Sequence, residues 1–123
     1  MNHSQYFYRT VTFTRKHNQV ALADINQPDQ TSPLDDWMGI VFSLADGNHT
    51  IQELIDYMRV QYPQAPANLE ETLHSVIERL QEGKIIQLSD KAVVLPYYLA
   101  SPVEELDLEK ATDLIQQDGY IQH

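Results

Sequence analysis

The chain has 123 residues, 42% of them hydrophobic, and its 18 acidic and 8 basic side chains leave a net charge of −10. That length suits one domain with a real core, and the hydrophobic content is too high for a disordered acidic tail. The charge argues against a general nucleic-acid binder, which needs Lys and Arg to displace counterions from phosphates.

The first 23 residues carry Arg9, Arg15 and Lys16 and no acid, whereas everything after them carries −13. A basic segment on an acidic body reads as internal complementarity or, less simply, as a handle for an acidic partner. Tyr6 to Thr14 (YFYRTVTFT) is, Arg9 apart, aromatic, β-branched or Thr and predicts a strand. After a polar break at 15–18, residues 19–25 predict a second strand around Val20, Leu22 and Ile25, closing a hairpin. Residues 26–33 (NQPDQTSP) are turn formers and read as a loop.

Three helices are predicted next, over 33–45, 50–62 and 68–82. The first has Ser32 ahead of Pro33, a buried stripe of Leu34, Trp37, Met38, Val41 and Phe42, and a stop at Asp46-Gly47. The second has Thr50 and Glu53 in capping-box positions and ends before Pro63. The third has Asn68 and Glu71 in the same places and runs to Gly83. Residues 84–95 then read as a second hairpin, stopped by Pro96. Residues 1–100 are thus expected to form one domain. Residues 101–123, net −5, are expected to add an acidic helix starting at Ser101-Pro102 or at Asp107, or a mobile tail.

Strands, three helices and a closing hairpin are the element order of an α+β, winged helix-turn-helix-like domain with an extra hairpin in front. In a DNA reader the third helix would enter the major groove and present Arg, Lys, Asn or Gln. Here it presents Glu70, Glu71, Glu78 and Glu82 against Arg79. Around that helix, Leu73, Val76 and Leu80 fall within about 40° of Leu69, while Ile77 lies about 80° away, beside Glu70, His74 and Gln81. Ile77 either widens the core stripe or forms one wall of a shallow groove between this helix and a strand edge. Such an edge can accept an extended peptide through main-chain hydrogen bonds.

The stretch LDDWMGIVFSLADGNHTIQELIDYM, then Tyr62, then LEETLHSVIERLQEGKI resembles the PqqD-like family, the RiPP recognition elements. The shared features are a helix ending in an apolar-x-Asp-Gly step (Leu44, Asp46, Gly47) and a Thr-apolar-x-Glu-apolar start (Thr50, Ile51, Glu53, Leu54). Tyr62 then closes the second helix, and the third ends at Leu80-x-x-Gly83 followed by Ile85. The resemblance covers about fifty residues. It implies a non-catalytic domain that captures the leader segment of a ribosomally made precursor peptide by strand addition. The captured peptide is presented to a modifying enzyme such as a radical-SAM protein, a cyclodehydratase or a leader peptidase. Members place a third strand directly before the first helix. With 26–33 read as a loop, the accepting edge is expected at 19–25. The groove residues are then Val20, Leu22 and Ile25 on the strand side and Glu70, His74, Ile77 and Gln81 on the helix side. The alternative is a winged-helix transcriptional regulator or a general protein-interaction module. Whether the hairpin swaps into a homodimer stays open.

Catalytic chemistry finds no constellation in the sequence. The chain has no cysteine, which removes disulfides, thiolate metal sites and cysteine nucleophiles. His3, His17, His49, His74 and His123 show no ligand spacing, and neither HExxH nor GxSxG occurs. Asp35-Asp36 is explained by the dipole of the helix it opens. The expectation is no enzyme, no metal and no cofactor, with no nucleic-acid or membrane partner. No apolar run nears the ~20 residues that span a bilayer, and no basic-then-apolar leader opens the chain, so the expected setting is cytoplasmic.

Overall fold

The computed structural model describes residues 2–16, 19–24, 27–63 and 67–119. They form an α+β fold with two three-stranded antiparallel sheets and five helices. In chain order the elements are β1 (Tyr6–Arg9), β2 (Phe13–Lys16), β3 (Gln19–Asp24), β4 (Gln27–Pro33), α1 (Asp36–Leu44) and β5 (Asp46–Thr50). They continue with α2 (Ile51–Gln61), α3 (Leu69–Glu82), β6 (Ile86–Ser89), α4 (Tyr97–Ala100), a 3-10 turn (Val103–Glu105) and α5 (Leu108–Asp118).

The single strand expected over 6–14 is instead two strands in different sheets. β1 lies between β5 and β6, with Phe7 opposite Leu88 and Arg9 opposite Ile86. β2 opens the meander β2-β3-β4, with Phe13 opposite Leu22. From the link into the start of β2, Val11, Thr12, Phe13 and Thr14 are all buried, so the one-in, one-out alternation of a strand fails and the chain crosses through the core. Thr10 donates from N to Ile85 O at 2.9 Å, and the Thr12 hydroxyl donates to Ala23 O. Composition favours a strand throughout this run and carries no sign of the crossing.

The loop expected over 26–33 is β4, paired with β3 through Ala21–Pro33, Leu22–Ser32 and Ala23–Thr31. Pro28 and Pro33 read as strand breakers, yet β4 ends its sheet, and a border strand tolerates the missing N–H. Because Pro33 closes β4, α1 starts later than expected. Asp35 is its N-cap, accepting from Met38 N at 2.9 Å.

The second hairpin, expected over 84–95, also differs. β6 spans only 86–89, paired with β1, and no strand forms over 92–96. The chain crosses to β5 instead, where Val93 N donates to Gly47 O at 2.9 Å. Gly47 has φ +82°, and a Cβ there would stand 2.2 Å from Val93 O, so only glycine fits.

α2 carries the reciprocal cap, with Glu53 N donating to the Thr50 hydroxyl and Thr50 N to the Glu53 carboxylate, both at 3.1 Å. Two further amides of its first turn are taken by the N-terminal segment: Ile51 N donates to Gln5 O and Gln52 N to His3 O, each at 3.0 Å. At the start of α3, Asn68 makes no side-chain cap bond, contrary to the expected box. Gly83 is right-handed, and Lys84 takes the left-handed position after the helix, at φ +58°.

The main core joins Phe7, Phe13, Phe42, Ile55, Leu73 and Ile86, all fully buried, with the neighbouring aliphatic residues of α1, α2 and α3. A second, small cluster of Tyr98, Leu99, Leu106 and Ala111 holds the C-terminal arm together. The helix of that arm starts at the later of the two expected sites. Asp107 accepts from Glu109 N and Lys110 N, and Ser101-Pro102 opens only the 3-10 turn.

Arg9 joins the two clusters. It is 4% exposed, and its guanidinium donates to Leu99 O (2.6 Å) and Ala100 O (3.0 Å) on the arm, and to Phe42 O (3.3 Å) and Ser43 O (3.2 Å) near the end of α1. It also lies over the Phe13 ring at 4.7 Å. Burial lowers its pKa to about 10, opposed by the charge of Asp46, so the group stays cationic at neutral pH. The expected basic patch is therefore partly internal wiring. Arg9→Met should remove all four bonds and take the guanidinium from the buried Leu99 carbonyl, while Phe42 O keeps the Ala45 amide, costing about 3 kcal/mol in urea unfolding.

Tyr98 supplies a second test. It is 2% exposed and donates to Asp118 Oδ2 at 3.2 Å; burial, with that bond and the carboxylate's charge, raises its pKa to about 12. The fold therefore favours the neutral phenol. Its contribution to stability is complete below about pH 10, the ordinary tyrosine value, and is lost as pH rises toward 12. The stability gap between the protein and Tyr98→Phe should shrink over that interval, measured by denaturant unfolding at stepped pH.

Candidate functional site

The groove expected from the sequence is not assembled as drawn. Val20 is buried and Leu22 packs against the core. Both lie on β3, the middle strand, whose two borders are already paired with β2 and β4. The edge expected at 19–25 is thus not an edge, and Ile25 lies outside the described residues. On α3, Ile77 is fully buried in the same cluster as Val20, so it widens the core stripe and forms no groove wall. The buried stripe is Leu69, Leu73, Ile77 and Leu80, with Val76 half-buried at its side.

The remaining helix residues face other partners. Glu70 pairs with Arg59 of α2 at 2.9 Å, half-exposed and of little energetic weight. His74 Nε2 meets His3 Nε2 at 2.8 Å. Gln81 is half-buried, and its carbonyl accepts from Lys84 N. The helix packs mainly on α1, α2 and β6, away from β3 and β4.

Two strand borders are occupied by the chain itself. Val93 sits on β5, and the 3-10 turn packs on β2, where Arg15 N donates to the Glu104 carboxylate at 3.2 Å. β4 and β6 end their sheets, and among the described residues β4 pairs with β3 alone.

β4 runs directly into a cleft of about 580 Å³. Its lining comes from the start of β3 (Gln19, Val20), the β4–α1 junction (Leu34, Asp35), one face of α1 (Gly39, Ile40, Ser43, Leu44), Tyr57 of α2 and Tyr62 at its C-terminal cap. Residues 39, 40, 43 and 44 share a face because they are spaced at helical intervals. Gly39 and Ser43 cut a notch in that face. A Cβ on Gly39 would meet only Val20 Cβ, at 3.8 Å, an ordinary contact. Nothing in the chain's own packing therefore requires glycine there, although mid-helix glycine costs about 1 kcal/mol relative to alanine. Tyr57 and Tyr62, which line the same cleft, are 43% and 40% exposed, and Tyr62 rests against Trp37 at 6.1 Å between ring centroids. A lining that mixes aliphatic side chains (Val20, Leu34, Ile40, Leu44) with a hydroxyl, a carboxylate and two phenols can take a side chain of an extended segment.

The sequence reading assigned Trp37 and Met38 to the core and took Tyr62 as a helix closer. Nothing in the sequence brings Gly39 and Tyr57 to one cleft, because that depends on how the helices pack. The five histidines likewise gave no spacing signal, yet the fold joins His3 to His74 across 71 positions. Among the described residues no group of three or more His, Asp or Glu side chains converges as a metal site would require. No helix of the described residues is long and apolar enough to cross a membrane.

Gly39→Ala should keep the fold and raise its stability by up to about 1 kcal/mol in urea unfolding. Loss of stability would mean that the helix needs glycine for its own packing, and the cleft would lose its argument. Comparison with family models, with curated proteins and with solved structures finds no match to this chain.

Proposed function

We propose that this chain is a non-catalytic peptide-binding domain of winged helix-turn-helix type, which takes up the leader of a ribosomally made precursor peptide and presents it to a modifying enzyme. The leader adds as a strand to the outer border of β4 and anchors a side chain in the cleft between α1 and α2. The observation that carries this reading is the position of β4. It is the third strand of its sheet, it immediately precedes α1, it ends that sheet, and it leads into the cleft at Leu34. A strand in that place is the feature of the PqqD-like pattern that the prolines concealed. The resemblance over residues 34–85 supports the same reading from the helical side.

The regulator alternative has less support. The described face of α3 presents Glu71, Glu78 and Glu82 to solvent, with Arg79 as its exposed cation, a charge balance that repels phosphates.

The test uses the short open reading frames that neighbour this gene, as synthetic peptides titrated into the isotope-labelled protein. Amide shifts should concentrate at residues 27–35 and at Gly39, Ser43 and Tyr62, and Gly39→Leu should weaken binding at least tenfold. Failure of every neighbouring peptide to bind, or shifts confined to α5 or β6, would reject the reading.

A further inference from the structure

The contact between His3 and His74 belongs to a directed chain of polar groups that the peptide reading does not use. Gln52 Nε2 donates to Asp56 Oδ1 at 3.0 Å, which turns its carbonyl oxygen toward His3 Nδ1 at 3.2 Å. That oxygen can only accept, so His3 carries its hydrogen on Nδ1 and offers a lone pair at Nε2. His74 Nε2 stands 2.8 Å away and must then be the donor. The two rings are half-buried and meet edge to edge, with centroids 5.0 Å apart and planes turned 67° from one another.

From this geometry we infer that the His3–His74 pair is an acid-operated latch holding the N-terminal segment, residues 2–5, against α2 and α3. The first proton taken up goes to His74 Nδ1, which faces away from the bond, and the bond survives with a charged donor. The second proton has to go to His3 Nε2, the lone pair that the bond occupies. Two N–H groups on two cations would then face each other at 2.8 Å, and the contact opens. The charged residues of the two helices are Glu53, Asp56 and Arg59 on α2 and Glu70, Glu71, Glu78, Arg79 and Glu82 on α3; Asp56 meets the chain of contacts through Gln52, and Asp90 accepts from Gln5 Nε2 at 3.0 Å beside the segment. None of them receives a hydrogen bond from either ring among the described contacts. The same segment supplies His3 O and Gln5 O to the first amides of α2, so its release uncaps that helix and bares the His74 side of α3.

Hydrogen exchange of the full-length protein tests the latch at the Ile51 and Gln52 amides. Their protection, corrected for intrinsic rates, should hold near pH 7.5 and fall on acidification by up to about tenfold per pH unit, because opening then admits one extra proton. Core amides such as those of Met58 and Leu73 should keep theirs. In His74→Gln the carboxamide can donate to neutral His3 or accept from charged His3, so protection should match the parent at pH 7.5 and lose the acid step. His3→Gln, placed in the terminal segment, should behave alike and serves if the first variant folds poorly. An acid step that persists in both variants, no step in the parent, or parallel loss at the core amides would overturn the inference.

Discussion

The fold depends on one cation taken out of water. Arg9 is held by carbonyls from two places that the chain reaches 33 or more residues later: the end of α1, and α4 in the C-terminal arm. Carbonyls near a helix C-terminus lack intrahelical partners and carry the negative pole of the helix dipole, so they suit a guanidinium. The planar fork of arginine can reach two such sets at once, which an ammonium cannot. One side chain on β1 therefore fixes the first sheet, the first helix and the arm relative to one another. The arrangement is specific because the charge, once buried, has to be satisfied.

This explains where the sequence was legible. The helices declare themselves locally: Thr50 with Glu53 marks a start, and an apolar residue every three or four positions marks a buried face. α2 and α3 accordingly span nearly the residues read for them. The strands declare composition but not partners. Nothing within Tyr6–Thr14 tells that its first half pairs with residues some forty and eighty positions on while its second half pairs with β3. β4 was hidden by its prolines, whose effect depends on whether a strand ends its sheet, a property of the assembled fold. The second hairpin was misread for a related reason, since the chain after β6 goes to β5, where Val93 meets Gly47, rather than turning back on β6.

The site was legible only in outline. The strand border expected at β3 is paired on both sides, and the border that ends its sheet beside a helix is that of β4, next to α1. Ile77 at the shoulder of its stripe was consistent with wall or core, and its full burial in the main cluster makes it core. The cleft beside β4 is lined by Gly39 of α1, by Tyr57 of α2 and by Tyr62 just after it. A glycine in mid-helix is visible in a sequence; the residues that share its cleft are not, since they follow from how the elements pack.

Gly47 shows how a short motif can serve two purposes. The Asp-Gly step that ends α1 and begins β5 also leaves a gap the size of one methyl group, and the Val93 carbonyl fills it. The return path of everything after β6, the arm that meets Arg9 included, is threaded past that gap. A replacement at this turn would be felt some fifty residues downstream, as a displaced C-terminal third rather than as a broken turn.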